Sequence, residues 1–464
     1  MSLPQNDKYN FKSPGLKLIL VCALVLIMTI PTLFIFLIVY DRSERANKTS
    51  NEIAYATGGE QTIIGPVLAI PIISKDPEGI WSKEDTLLIF ANTGEVLADI
   101  DVTTKSKSIY TVQVYESDLS FKAEFDLRGI IALTNDSNKV LVEQAQILVG
   151  VSDLRGALSD ASLSTAAAQG QIFTPFAGNF LVQNSSDRLY GTMAPSNNSN
   201  KMQRQFGQII STPAGDLLQQ EKLKIAVNFK LGGAKKISII PFAKSTKIKI
   251  AANWPHPGFS GAFLPDNKQI SDAGFVGSRT VPALASGLPT MTFLSTFNGL
   301  SRAGNGMSVS FVDLSTPYQF VSRSLKYALL FIGLVFLTFF LFEITGRQPV
   351  HAAQYILIGL AQSVFYLLLL AFSEHIGFDL AFLIAATAVV GLTGLYAGAV
   401  FGKQKTITAL MLFGGVYILL FVLMRMVDFA LLVGAITSLI AIAATMYMTR
   451  DLQWYAADND RDQS

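Results

Sequence analysis

The stretch LKLILVCALVLIMTIPTLFIFLIVY, residues 16–40, decides the architecture. Apart from Lys17 near its start it is almost wholly apolar, and about 20 apolar residues are what a helix needs to cross the ~30 Å hydrocarbon core of a bilayer. Pro31 interrupts the run without ending it. Phe34, Ile35, Phe36, Leu37 and Ile38 lead straight into Val39, Tyr40, Asp41 and Arg42 with no small-residue cleavage site. The segment is therefore expected to persist as an uncleaved signal anchor.

Five more apolar runs of spanning length lie toward the C-terminus, at residues 327–344, 352–372, 380–401, 406–424 and 429–448. The connections between them are short, leaving little room for chemistry on loops. Residues 41–322 read differently: Gly and Pro punctuate, charges return, and short alternating runs replace long apolar ones. IYTVQVY (109–115), KLKIAVNFKL (222–231) and KIKIA (247–251) set polar residues opposite apolar ones at period two. Such strands have one wet and one dry face, as in an antiparallel sandwich. Residues 159–216, rich in Ser, Ala, Asn and Gly, read as loops between two strand-forming halves. The expected fold is thus a membrane protein with about six transmembrane helices and a large all-β, sandwich-like periplasmic domain inserted between the first and second. Residues 1–15 and 449–464 form the tails.

Composition agrees. Of 464 residues half are apolar and 15% charged, too apolar for an ordinary soluble protein and too mixed for an all-helical transporter. The net charge is +2 with no basic run, which argues against nucleic acid as a partner. Cys22 is the sole cysteine and lies in the first apolar run, so no intramolecular disulfide or cysteine metal site can form. Lys and Arg near the spans favour a cytoplasmic N-terminus: residues 373–379 carry none, whereas Lys403 and Lys405 mark the next connection as inside. Both termini are expected in the cytoplasm and the β domain in the periplasm.

Several segments carry a family resemblance: Gly65-Pro66-Val67-Leu68-Ala69-Ile70-Pro71, Asn253-Trp254-Pro255-His256-Pro257-Gly258-Phe259, Lys326-Tyr327-Ala328-Leu329-Leu330-Phe331, Ser373-Glu374-His375-Ile376-Gly377-Phe378 and Asp451-Leu452-Gln453-Trp454-Tyr455-Ala456. Together, in order over most of the chain, they resemble the CreD family of bacterial inner-membrane, cell-envelope-integrity proteins. The resemblance implies a large periplasmic domain, production under a sensor kinase and response regulator, and links to colicin tolerance and cell-wall stress. It implies no known reaction. The family pattern has a tryptophan soon after the glycine and phenylalanine of Gly274-Phe275, where this chain has Val276, Gly277, Ser278 and Arg279.

Two clusters are candidate sites. Glu374, His375 and Asp379 fall in one external connection and Arg425 and Asp428 in the other, so two hairpins can gather a polar platform at the outer face of the bundle. Ionisable groups at membrane depth are expensive and tend to be paired. A salt-bridged seat under the β domain and a proton or ion relay are the two readings. Trp254, His256 and Phe259 form a Pro-stiffened turn, either a structural corner or a binding turn. His256 lacks nearby ligand-spaced His, Cys or Asp, and no nucleophile elbow or Walker A loop is present. Neither catalytic residues, a cofactor nor a metal is expected. Asp153 and Arg155 are read as organising a turn, and Glu343 as a partner of Arg347 or Lys403. The function expected is non-enzymatic support of envelope integrity, with the bilayer and an envelope protein or cell-wall component as partners. The alternative is a small-solute or ion transporter working through the helix bundle.

Overall fold

The computed structural model describes residues 14–75, 78–79, 81–108, 110–128, 130, 134, 138–166, 169–176, 208–294, 306–311, 317–346, 349–425 and 430–450. Two compact units emerge, one of Met1–Asn47 with Ser315–Ser464 and one of Lys48–Leu314.

The N-terminal apolar run forms α1 (Pro14–Ile27) and α2 (Thr29–Ala56). Pro31 explains the break, because its ring lacks an N–H and crowds the carbonyl four residues earlier, that of Ile27.

The β unit follows with β1 (Gln61–Lys75), β2 (Trp81–Ile89), β3 (Ala91–Lys107), β4 (Tyr110–Asp126), β5 (Asn138–Val140), β6 (Gln146–Val151), β7 (Ser162–Thr165), β8 (Gln169–Ile172) and β9 (Thr174–Pro175). Its second half holds β10 (Gln208–Pro213), β11 (Lys222–Ala234), β12 (Lys236–Ile240), β13 (Ala243–Ala252), β14 (Pro257–Gly261), β15 (Asn267–Ser271), β16 (Gly274–Val281), the short α3 (Ala283–Ser286), β17 (Met291–Phe293) and β18 (Met307–Phe311). The strands make a 10-stranded sheet whose main path is β14-β18-β12-β1-β6-β10-β9, and an 8-stranded sheet ordered β15-β16-β13-β3-β4-β11-β7-β8.

Pairing is antiparallel except where β1 meets β12 and β3 meets β13. Each sheet is thus stitched by one parallel join between a strand of the first half and one of the second. Four of the strands, β7 to β10, come from the segment expected to be loops. Residues 177–207 of that segment lie outside the described residues.

Alternation places Val96, Ala98 and Ile100 of β3 and Leu223, Ile225, Val227 and Phe229 of β11 inside, with Glu95, Asp99, Lys224 and Lys230 on the opposite face. Phe242 lies at the centre of this core, fully buried and edge-on to Phe121 at 5.8 Å. A Cβ at Gly65 of β1 or Gly94 of β3 would run into the Phe242 ring. That close approach accounts for the glycine of the Gly65-Pro66 motif. Burying each such ring contributes about 1.5–3 kcal/mol.

The membrane unit continues with α4 (Pro317–Lys326), α5 (Ala328–Gly346), α6 (Ala352–Ile376), α7 (Phe378–Phe401), α8 (Lys403–Arg425) and α9 (Ala430–Thr449). Among the described residues six helical segments are long and apolar enough to cross a bilayer, one near the N-terminus and five near the C-terminus. Val21, Leu24 and Met28 pack with Phe336, Phe339 and Phe340 of α5 and Tyr355 and Ile358 of α6. Gly394 and Gly398 admit Leu410 and Thr406 of α8, whereas nothing crowds Gly391. Small residues permit such close helix approach in lipid.

Candidate functional site

The end of the bundle where α6 meets α7 is shaped by Gly377, whose φ of +79° turns the one helix into the other. Glu374 and His375 therefore end α6, Asp379 opens α7, and Arg425 is the last residue of α8. Asp379 at a helix start and Arg425 at a helix end suit the helix dipole, whereas Glu374 at the end of α6 does not.

The structure divides these residues. Arg425 donates to Asp379 as an ion pair. Glu374 accepts a 2.9 Å hydrogen bond from the Tyr318 hydroxyl, with Arg42 at 3.9 Å. None of the described bonds joins the two pairs; His375 is exposed, and Asp428 lies outside the described residues.

What covers this end is α4, which packs on α5, α6 and α8. Tyr318, Val321, Ser324 and Leu325 form its buried face. Phe320 stacks on Phe378 at 4.7 Å, and the Arg425 guanidinium stands 5.9 Å from the Phe320 ring and 5.5 Å from that of Phe421. Sequence reading missed α4 by assigning residues up to 322 to the β domain. The signal was present in PYQFVSRSLK, whose apolar residues recur at helical spacing.

In the Trp254 turn, the indole N–H donates to the His256 carbonyl at 3.1 Å. Phe259 meets Phe275 edge-on at 5.4 Å, and Trp254 and Phe259 both pack against the core of the β unit. The side chain of Asn253 accepts from the Val102 N–H at 2.7 Å. The turn is thus held by backbone and ring contacts, with the His256 side chain exposed. Among the described residues no group of three His, Cys, Asp or Glu is placed to hold a metal.

Asp153 starts a single 3-10 turn and accepts from the Arg155 backbone N–H at 2.9 Å, the Asx arrangement expected of it. The Arg155 guanidinium reaches back to the Asp153 carboxylate and stands 3.5 Å from the Tyr55 ring. Partial burial pushes the Asp153 carboxyl up, but the hydrogen bonds and charge of Arg155 outweigh it, and the net pKa is lowered. Beside this turn the buried Gln61 amide donates to the carbonyls of Gly58 and Asp153 at 2.9 and 3.0 Å. These bonds tie the end of α2 to β1 and the Asp153 turn.

Two polar pairs lie inside the membrane unit. Glu343 takes its charge partner from Lys17 of α1. Lys403 is not that partner, and Arg347 lies outside the described residues. The Glu343 carboxylate also accepts from the Val350 N–H at 2.8 Å and the Tyr355 hydroxyl at 3.1 Å. Midway along α6, Gln362 accepts a 2.6 Å hydrogen bond from Tyr417 of α8, while its amide nitrogen has no acceptor among the described residues.

The chain matches the protein family described as "Inner membrane protein CreD" over residues 13–455, a span that takes in both the apolar helices and the β unit. It is similar to the inner membrane protein CreD of Escherichia coli (strain K12), with 30% identity over 443 residues covering 93% of this chain and 92% of that protein. This is an inner-membrane protein with several membrane-spanning helices, and it belongs to the CreD family.

Proposed function

We propose that the protein is a non-enzymatic support of the cell envelope that acts by binding through its β unit during envelope and cell-wall stress, including exposure to colicins. In this reading the β unit is periplasmic and both termini are cytoplasmic. The observation that carries it is the broad outer face of the 8-stranded sheet, open and polar across β13, β3, β4, β11 and β7. Such a face suits an extended partner better than an enclosed substrate. The orientation is supported by the turns: the one at Gly377 is free of Lys and Arg in its immediate neighbours, while Lys403 and Lys405 follow the one at Gly402. The sequence also lacks the common catalytic motifs.

Crosslinking the full-length protein in living cells tests the binding role, and a partner from the cell wall or envelope captured through the β unit is expected. Alkaline phosphatase fused after Tyr40 or near Phe378 is expected to be active. Inactivity at both positions would overturn the topology.

A second reading, solute or ion transport through the bundle, is favoured by one observation: the Gln362 amide nitrogen is buried without an acceptor. Polar groups at membrane depth tend to serve function. Saturable flux in proteoliposomes that disappears in Gln362→Ala would replace the binding reading with this one.

A further inference from the structure

The outer face of the 8-stranded sheet holds two depressions, of about 620 and 450 Å³, that follow one another along β3, β4, β11 and the β7 edge. Register fixes what lies across them. One row is Lys247, Glu95, Lys122, Ala226 and Ser164. The next is Lys249, Leu97, Ser120, Asn228 and Ser162. The third sets Asp99 opposite Asp118, with Lys230 beyond.

Small side chains, Ser120 and Ala226 in the middle of the sheet and Ser162 and Ser164 toward its β7 edge, stand where large β-branched residues are usual. They leave a trough. Its two ends differ in charge. The larger depression is lined by three lysines, Lys122, Lys224 and Lys247, against Glu95 and Glu124. The smaller is lined by Asp99, Asp118 and Asp160 against Lys230.

Glu95 and Glu124 are engaged by Lys247 at 3.5 Å and Lys224 at 3.8 Å, and Asp118 by Lys230 at 3.1 Å. Among the described residues that leaves Lys122 at one end, and Asp99 and Asp160 at the other, without an ion pair. Opposite charges face each other across neighbouring strands at Lys247, Glu95 and Lys122, at Lys224 and Glu124 and at Lys230 and Asp118, as on any solvated face, whereas the facing carboxylates Asp99 and Asp118 are unfavourable. The charges left without an ion pair thus differ in sign at the two ends, as a ligand with a charge at each end requires.

We propose that this trough binds a short extended peptide with a free ammonium and a free carboxylate, the carboxylate at Lys122 and the ammonium at Asp99 and Asp160. Lys122 and Asp118 are four residues apart on β4, about 13.6 Å at ~3.4 Å per residue. An extended peptide of about four residues covers the same distance. Ser120, Asn228 and Ser162 supply hydrogen-bonding groups between the ends. This deepens the reading of the β unit as a binding unit and rests on it.

The test is isothermal titration of tetra-alanine into the full-length protein in lipid nanodiscs. Saturable binding is expected, weakened about fivefold or more by acetylating the peptide amine, by amidating its carboxylate, and in Lys122→Ala or Asp99→Asn. Both side chains are exposed, so the variants are expected to fold, and an unchanged unfolding midpoint checks this. No binding, equal binding of the capped peptides, or binding unchanged in both variants would overturn the proposal, as would binding of chitotetraose in place of the peptide. Co-sedimentation with isolated cell walls separates this from the broader reading. A protein that binds no peptide yet still co-sediments with cell walls would sink the trough and leave envelope binding standing. Peptide binding by a protein that crosslinks to no envelope partner in cells would leave the trough and remove the broader reading.

Discussion

Lys17 and Glu343 are 326 residues apart in sequence and form an ion pair within the helix bundle. The carboxylate is 6% exposed and the lysine side chain 22%. With the Val350 N–H and Tyr355 hydroxyl also donating to Glu343, both carboxylate oxygens are engaged, the condition under which a buried charge is tolerable. The pair joins α1 to the end of α5, beside the contacts that Val21, Leu24 and Met28 make with α5 and α6. The N-terminal helix is therefore a member of the bundle, not a tether alone.

Removing one side of a buried ion pair leaves the other charge without its partner and costs about 3–5 kcal/mol. Glu343→Ala is expected near the lower end, about 3 kcal/mol, because Lys17 keeps some access to solvent. Thermal unfolding of the purified protein in detergent reads the loss. The double variant Lys17→Met with Glu343→Leu should recover part of it, since no charge is then left buried. A single variant as stable as the parent would show that the pair contributes nothing.

The pair at the Gly377 end of the bundle should behave oppositely. Asp379 and Arg425 are 61% and 49% exposed, and pairs so well solvated are worth about 0–1 kcal/mol. Asp379→Asn is expected to change stability by less than about 1 kcal/mol. Phe378→Ala removes a buried ring stacked on Phe320 and is expected to cost about 3 kcal/mol. Comparing the two unfolding midpoints decides whether charge or aromatic packing holds α4. A larger loss in Asp379→Asn would favour charge.

What could be read before folding follows from the range of each interaction. Apolar runs of spanning length announced the six membrane segments, and KLKIAVNFKL announced β11, because both patterns are local. The parallel joins of β1 to β12 and β3 to β13 were not legible, since their partners lie far apart in the chain. Strands β7 to β10 sit at or near sheet edges in a Ser- and Gly-rich segment, where little apolar alternation is needed. At the Gly377 end, Asp379 and Arg425 could be placed together from helix ends alone. Tyr318, the partner of Glu374, was missed although Tyr318, Val321 and Leu325 recur at helical spacing, because α4 is short and Gln319, Ser322 and Arg323 give it a loop-like composition.

The Asp153 turn carries a pH signature. The carboxyl pKa is lowered in the folded chain from 3.8. A lowered carboxylate pKa stabilises the fold fully above the unfolded value and ceases to do so as pH falls through the folded value. Asp153→Asn should therefore be less stable than the parent above about pH 4, with the gap closing as pH drops below it. Two of the three tryptophans, Trp81 and Trp254, lie in the β unit, so their fluorescence during unfolding follows this unit. A gap that stayed constant between about pH 6 and about pH 2.5 would contradict the assignment.

Gln362 and Tyr417 separate a structural bond from a working one. Tyr417→Phe deletes the donor to the Gln362 carbonyl oxygen and leaves a buried amide with neither end paired. That costs about 1–3 kcal/mol. Replacing both members, Gln362→Leu with Tyr417→Phe, removes the buried polar groups together and should return stability close to the parent value. If the bond is structural, the double variant is also expected to match the parent in any colicin or cell-wall-stress phenotype that the proposed envelope role predicts for a strain lacking the native copy. A double variant that is stable in detergent yet fails to rescue would point to work done by the amide itself, because restored packing would then have been insufficient.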